Sequence, residues 1–332
     1  MFVIRLAVVV PSLLCVVAMS AVLDATAPER PADTCGRNGG SALQVLGSGG
    51  PMHGQGRGSA AYLLWSMGRP SILIDVGGGT TVALARAGVE AAQLDAVLIS
   101  HFHPDHVSDL PAFLWGEMVT RRRRPLAIAG PTGAKDFRSL DAFLEKQFGA
   151  EGAFPDMKGL LSGEPFQLEL AAIETVKARA SRVFEHNGLR VSAYPVPHGR
   201  APTLAYRIEG PDFSVVFGGD QTGLDPGFSK FAQGADYLVL HAMLSPRAAG
   251  HTLAQVVALP ETLGRRAAEA KAKRVVLGHL MAGAPDQDEA HVWSLSSMPA
   301  VIEGLRTYYQ APILVPSDLQ CLDLDTPEDD DV

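Results

Sequence analysis

Three of the ten histidines in this 332-residue chain fall within six residues, in His101-Phe-His103-Pro-Asp105-His106. Imidazole nitrogen and carboxylate oxygen suit zinc and similar ions at about 2.0–2.2 Å, and two ions about 3.5–4 Å apart can share a hydroxide. A tight turn after a strand end can aim His101 and His103 at one point and Asp105 and His106 at a neighbouring one. The alternatives are a histidine-rich surface turn or a satisfied core cluster. Packed without a metal, three imidazoles and a carboxylate would repel or lack partners, which weighs against both.

A two-metal site needs more than four ligands, and three further candidates each follow an apolar run: Val196-Pro-His198, Phe217-Gly-Gly-Asp220 and Val276-Leu-Gly-His279. A lone histidine at a strand end is more often structural than a ligand, but the shared position of these three strengthens them together. Asp220, beside glycines that let the backbone approach an ion, suits a carboxylate bridging both metals. His241 ends an apolar run and His251 opens a helical one, so either can stand beside the site as an orienting group or proton donor. His53, His186 and His291 read as solvated.

The elements that must position these residues are short apolar runs bounded by Gly, Pro or Asp. They lie at 42–46, 61–65, 71–75, 96–100 and 126–129, then at 189–194, 204–208, 214–217, 237–240 and 274–277. Helical patterns interleave at 80–87, 110–119, 135–148 and 252–272. Two batches of strands, each with helices, predict an α/β chain of two sheets stacked face to face with helices outside. No repeat of 20–50 residues is present.

With 47% hydrophobic and 19% charged residues the chain can bury a full core. Its net charge of −8 offers no broad footprint for nucleic acid; the basic run Arg121–Arg124 reads as a solvated loop. Residues 1–20 have a positive start, an apolar stretch that includes Cys15 and small residues at a cleavage pattern, and predict a removable secretory signal, with an N-terminal anchor helix as the alternative. A linker at 21–40, a catalytic domain at 41–325 and an acidic tail at 326–332 follow. Cys35 and Cys321 are expected to pair in an oxidising compartment, periplasmic or extracellular, with no stable membrane span after cleavage.

The order His101-x-His103-x-Asp105-His106, His198, Asp220, His279 resembles the metallo-β-lactamase superfamily, and within it the ribonuclease Z and arylsulfatase-like branch. Leu46-Gly-Ser-Gly-Gly-Pro51, Leu73-Ile-Asp75-Val-Gly-Gly-Gly-Thr80, Gly219-Asp220-Gln-Thr222 and His251-Thr-Leu-Ala-Gln255 carry the same likeness. The resemblance implies an αββα sandwich with the metals at one edge between the sheets. It implies His101, His103 and His198 on one ion, Asp105, His106 and His279 on the other, and Asp220 bridging. It further implies that His251 donates a proton and that Asp105 orients or deprotonates the attacking water.

Two departures bear on substrate. Ala242 follows His241 where the ribonucleases carry an acid, and Glu145–Gly163, taken as the segment between the sheets, is too short and too little basic for an arm that clamps tRNA. Acidity and export weigh against tRNA as well. The expected activity is hydrolysis of a small-molecule ester, foremost a phosphodiester or related anion, by hydroxide held between two divalent ions, zinc first and manganese or iron next. Lactone, acyl-ester or sulfate-ester hydrolysis is the second reading, with Trp65, Phe113 and Trp115 as a candidate apolar pocket. A metal-binding module without turnover is the third. Arg57 and Arg200 could meet an anion, though each is more readily structural. The assembly state is open, a homodimer being the commonest outcome.

Overall fold

The computed structural model describes residues 35–36, 39–52, 55–283 and 290–325. The expected signal, most of the linker, the acidic tail and His53 lie outside the described residues.

The first sheet has the order β14-β1-β2-β3-β4-β5-β6: β14 Cys321–Asp323, β1 Ala42–Gly47, β2 Ala61–Ser66, β3 Arg69–Ile74, β4 Ala96–Leu98, β5 Leu126–Pro131 and β6 Leu168–Ile173. The second runs β13-β12-β11-β10-β9-β8-β7: β13 Ile313–Leu314, β12 Val275–Gly278, β11 Tyr237–His241, β10 Ser214–Phe217, β9 Ala201–Glu209, β8 Leu189–His198 and β7 Ser181–His186. Pairing from β3 to β6 is parallel, as it is from β10 to β13, and the remaining pairs are antiparallel.

The central strands read as continuous apolar runs because both of their faces are covered. In β3, Ile72 and Ile74 join the layer between the sheets while Leu73 packs outward. In β11, Tyr237 and Val239 face that same layer while Leu238 and Leu240 face the opposite helices. Period two along the strand sets this alternation. Helices α1 Thr80–Arg86, α2 Pro104–Val107, α3 Leu110–Val119 and α4 Leu140–Phe148 belong to the first half, and α5 Pro226–Phe231, α6 Pro260–Ala270 and α7 Met298–Arg306 to the second. The result is the four-layer αββα sandwich expected. The Cys35–Cys321 disulfide forms, so the end of the presumed linker is pinned to the edge strand of the first sheet and buried against it.

Several expectations need correction. The helix expected at 252–272 is two pieces, a 3₁₀ turn at Thr252–Gln255 and α6, because Pro260 takes the first helical position and cannot donate to an earlier carbonyl. Residues 135–139 precede α4 rather than belong to it. Glu145–Gly163 does not lie between the sheets: it is the end of α4 and a 3₁₀ turn at Pro155–Ser162, ahead of β6, and the two sheets are joined by 174–180. Arg122 is not solvated. Its guanidinium is buried, paired with Glu117 at 3.0 Å and donating to the carbonyls of Ala91, Leu94 and Pro125.

Candidate metal centre

Every expected donor sits at a strand's end or in the loop or one-turn helix that follows it, and the two sheets share the task. The first sheet supplies His101, two residues beyond Ile99, and then His103, Asp105 and His106. The expected tight turn is a one-turn helix, α2, with His103 as its N-cap and Pro104 at its first position. The second sheet supplies His198 at the last position of β8, Asp220 beyond β10 and His279 immediately after β12. His101, His106 and His279 are at most 1% exposed, Asp220 is 3% exposed.

Two groups of donor atoms result. Those of His101, His103, His198 and Asp220 lie within 4.8 Å of one another, as do those of His106, Asp220, His241 and His279. Asp220 belongs to both. Its Oδ2 stands 3.8 Å from His101 Nε2 and 3.6 Å from the Nε2 atoms of His198, His106 and His279. One carboxylate oxygen is therefore nearly equidistant from two imidazoles of each group, the placement a bridging ligand needs. Asp105 joins the second group at its more open side, with Oδ2 2.9 Å from His279 Nε2 and 3.7 Å from His106 Nε2. His241 is a poorer ligand than Asp105 despite its proximity, since both its nitrogens are engaged: Nδ1–H donates to Asp220 Oδ1 at 2.6 Å, and Nε2 lies 3.2 Å from the Tyr62 hydroxyl.

The hydrogen bonds behind the donors fix which nitrogen faces inward. His198 Nδ1–H donates to the Val256 carbonyl at 2.8 Å, and His106 Nδ1–H to Asp75 Oδ2 at 2.7 Å. Asp75 Oδ2 also accepts from Ser100 Oγ at 2.8 Å, which leaves that oxygen to accept from His101 Nδ1–H at 3.0 Å. The Nε2 atoms of His101, His106 and His198 are thus turned to the centre, the nitrogens that a metal would take. In the first group, His103 Nδ1 lies 2.9 Å from His101 Nε2 and 3.4 Å from His198 Nε2. Three ring nitrogens thus converge on one point, as the ligands of a single ion do. His106 Nε2, which faces the centre, is buried with no hydrogen-bond partner among the described residues, and such groups are rarely left so. The donor set therefore fits divalent metal, and His and Asp donors accept zinc, manganese or iron.

Electrostatics agree. Burial and the neighbouring His106 drive His101 well below the usual imidazole range, and burial with His198 lowers His103, so both keep the neutral form that can ligate. Burial opposes the Asp220 carboxylate, but His279, His106 and the His241 hydrogen bond hold its pKa well below normal. Asp105 is lowered too: burial opposes its charge, but the bond from His279 and the charges of His106 and His279 together overcome it. At His106 burial opposes the cation, and the charges of Asp75 and Asp220 overcome it, raising the pKa well above normal: this pocket favours positive charge.

Asp75 was legible only as part of a glycine-rich motif, yet it organises half of the first-sheet donors. It adopts φ 56° and His279 φ 55°, left-handed conformations that cost energy in residues other than glycine and gather at functional sites. Gly50 is required for a plainer reason: a Cβ there would stand 2.4 Å from Cε1 of His279.

His251 lies outside both donor groups. It caps the 252–255 turn, accepting from Leu253 N–H through Nδ1 at 3.2 Å, which leaves Nε2 as the protonated nitrogen; its ring meets Trp293 edge-on at 6.3 Å. The same turn presents the Val256 carbonyl to His198. Arg57 donates to Pro316 O and Ser48 Oγ and is structural; Arg200 is exposed and paired with Asp136 at 2.7 Å. His186 and His291 are exposed. Trp65 and Phe113 are core residues, whereas Trp115 is 47% exposed on an open groove of about 490 Å³ with Pro111 and Phe154, so the three do not form one pocket.

Residues 71–280 match the β-lactamase superfamily domain, more than half of the chain. The chain is 31% identical over 181 residues to ribonuclease Z of Mycobacterium sp. (strain KMS), a match that covers 54% of this chain and 60% of that relative. Among solved structures it is similar to the metallo-β-lactamase fold protein YhfI from Bacillus subtilis, with TM-score 0.64, 18% identity, and 85% of this chain and 98% of that one covered. It is also similar to human tRNase Z, short form, with TM-score 0.63, 20% identity, and 85% and 99% covered. Fold and sequence similarity meet in one conclusion: the chain belongs to the metallo-β-lactamase superfamily, in its ribonuclease Z-like branch.

Proposed function

We propose that this protein is an exported hydrolase of a small ester, foremost a phosphodiester or related anion, that works with two divalent ions. The observation that carries the reading is Asp220 Oδ2, shared by two groups of inward-facing imidazoles. His101, His103 and His198 would hold one ion, Asp105, His106 and His279 the other, with Asp220 between them. When bound, such ions make water nucleophilic near neutral pH and stabilise the negative charge of the transition state.

The chain's own groups do the rest. Asp75, Ser100 and the Val256 carbonyl keep the imidazoles oriented, which saves reorganisation during reaction. Asp105, lowered in pKa and the more open of the two carboxylates, orients the attacking water. His251, whose Nδ1 accepts from Leu253 N–H, would give a proton to the leaving group through Nε2.

Ribonuclease Z relatives raise precursor tRNA as the competing substrate. Net charge of −8 supports a small substrate instead, as does residues 145–163, a compact segment with three acids and two lysines rather than a basic arm. The disulfide supports export, because such bonds persist in oxidising compartments.

The test is hydrolysis of bis(p-nitrophenyl) phosphate in zinc- or manganese-replete buffer, with precursor tRNA assayed in parallel. Turnover of the small diester, lost on chelation and in Asp220→Ala, is the expected result. Cleavage of the tRNA with no diester turnover would overturn the small-substrate reading, and two bound metals with neither activity would direct the search to lactones and sulfate esters.

A further inference from the structure

Behind the bridging carboxylate lies a buried chain of three side chains that crosses from one sheet to the other. Tyr62, on β2 of the first sheet, is 1% exposed, and its hydroxyl lies 3.2 Å from Nε2 of His241, on β11 of the second. His241 in turn contacts Asp220 Oδ1 through Nδ1 at 2.6 Å. The Tyr62 ring is held by Phe217, 5.5 Å between centroids, and lies nearly parallel to the His241 ring at 23°. Room for the hydroxyl exists only because residue 278 is glycine: a Cβ there would fall 1.9 Å from the Tyr62 oxygen.

Hydrogen-bond polarity runs one way along this chain. Asp220 is ionised and can only accept, so His241 Nδ1 must carry a proton. A neutral imidazole then has a lone pair at Nε2, and the Tyr62 O–H is the donor that satisfies it. In the other neutral tautomer Nδ1 would turn a lone pair on the carboxylate. We propose that Tyr62 is a positioning residue: by donating to Nε2 it locks His241 in the Nδ1–H tautomer, which holds Asp220 Oδ1 and reserves Oδ2 for the metal ions. The proposal rests on the reading of Asp220 as the bridging ligand.

Two measurements test it, neither depending on turnover. In the purified zinc-loaded protein carrying ¹⁵N-histidine, His241, assigned by loss of its signals in His241→Asn, should show a protonated Nδ1 and an unprotonated Nε2; a protonated Nε2 would overturn the proposal. Tyr62→Phe keeps the packed ring and removes the donor, and should weaken metal affinity about tenfold, the lower end of what outer-shell substitutions cost. In the His241→Asn background the same Tyr62→Phe change should cost nothing, because an amide donates to Asp220 without any choice of tautomer. A structural role for Tyr62 would give the same loss in both backgrounds, and undiminished affinity in Tyr62→Phe would likewise sink the idea. If wild-type protein binds no metal, the reading of Asp220 fails, while the tautomer of His241 still reports separately on the hydrogen-bond chain.

Discussion

Asp75 touches no atom that would meet substrate, yet Ser100 N–H and Oγ–H and His106 Nδ1–H all converge on its two oxygens at 2.7–2.8 Å. Replacing it with Asn is the gentlest way to break this arrangement, since Asn tolerates the left-handed backbone at this position. The amide can still accept from Ser100, but its NH₂ confronts a donor at His106 Nδ1 or Ser100 Oγ. Asp75→Asn is therefore expected to lower metal affinity about 10- to 100-fold. Calorimetric titration of metal into the chelated protein checks this, with wild-type affinity as the contrary outcome. Asp220→Ala should go further and abolish turnover, because it removes a donor from both groups at once. Circular dichroism would separate that loss from misfolding.

Strands that cross the middle of the sandwich were legible because burial on both faces leaves them uninterrupted apolar runs; Ser214–Phe217 and Tyr237–His241 are examples. The edges were not. β7, Ser181-Arg-Val-Phe-Glu-His186, is largely exposed and polar, β6 carries exposed Glu169 and Leu170, and β13 and β14 have only two and three residues. Seven candidate metal donors could be picked out because each follows such a run, whereas Asp75 and Tyr62 make hydrogen bonds to other residues and leave no spacing to read. Pro104 after His103 was a helix-start signal that could have revealed α2. The break before α6 has a local use: it leaves the Val256 carbonyl outside any helix, available to His198.

Asp236 serves the same scale by tying three strand starts together. It accepts from N–H and Oγ–H of Ser214, the first residue of β10, at 2.7 and 2.8 Å, and from Lys273 at 2.6 Å, ahead of β12, while itself preceding β11. Burial opposes its charge, but Lys273 and Ser214 outweigh it and the pKa is lowered. A carboxyl depressed in the folded state stabilises fully above its unfolded pKa of about 3.9, and that contribution disappears as pH falls through the folded value. Asp236→Asn should cost about 1 kcal/mol at pH 7, given its partial exposure, and progressively less as pH falls below the unfolded value. Denaturant melts above and below that value decide this; an equal loss on both sides would contradict it.

At the scale of the whole molecule, Cys35 and Cys321 close a span of 286 residues and fasten the amino-terminal segment to the edge of the first sheet. Chain entropy for a loop of that size gives about 5.6 kcal/mol, and natural bridges typically deliver about 2–4. Reduction is expected to lower Tm by several degrees while leaving kcat intact, since neither cysteine is among the donors. A kcat that fell with reduction before any change in Tm would instead couple the clasp to the site.

The division of the donors between the sheets also dictates an order of events. Neither donor group is complete on one sheet, for His101 and His103 need His198 and Asp220, while Asp105 and His106 need His279 and Asp220. On the proposed two-ion reading, ion capture would wait until the two sheets have docked, which would make it the closing step of folding rather than a nucleus for it. Refolding in chelator should recover the full far-ultraviolet spectrum at an unchanged rate, and zinc added afterwards should enter in a separate phase whose rate rises with its concentration. A chain that matures in this way acquires its ions in whichever compartment it finishes folding, and the metal available there sets what it carries.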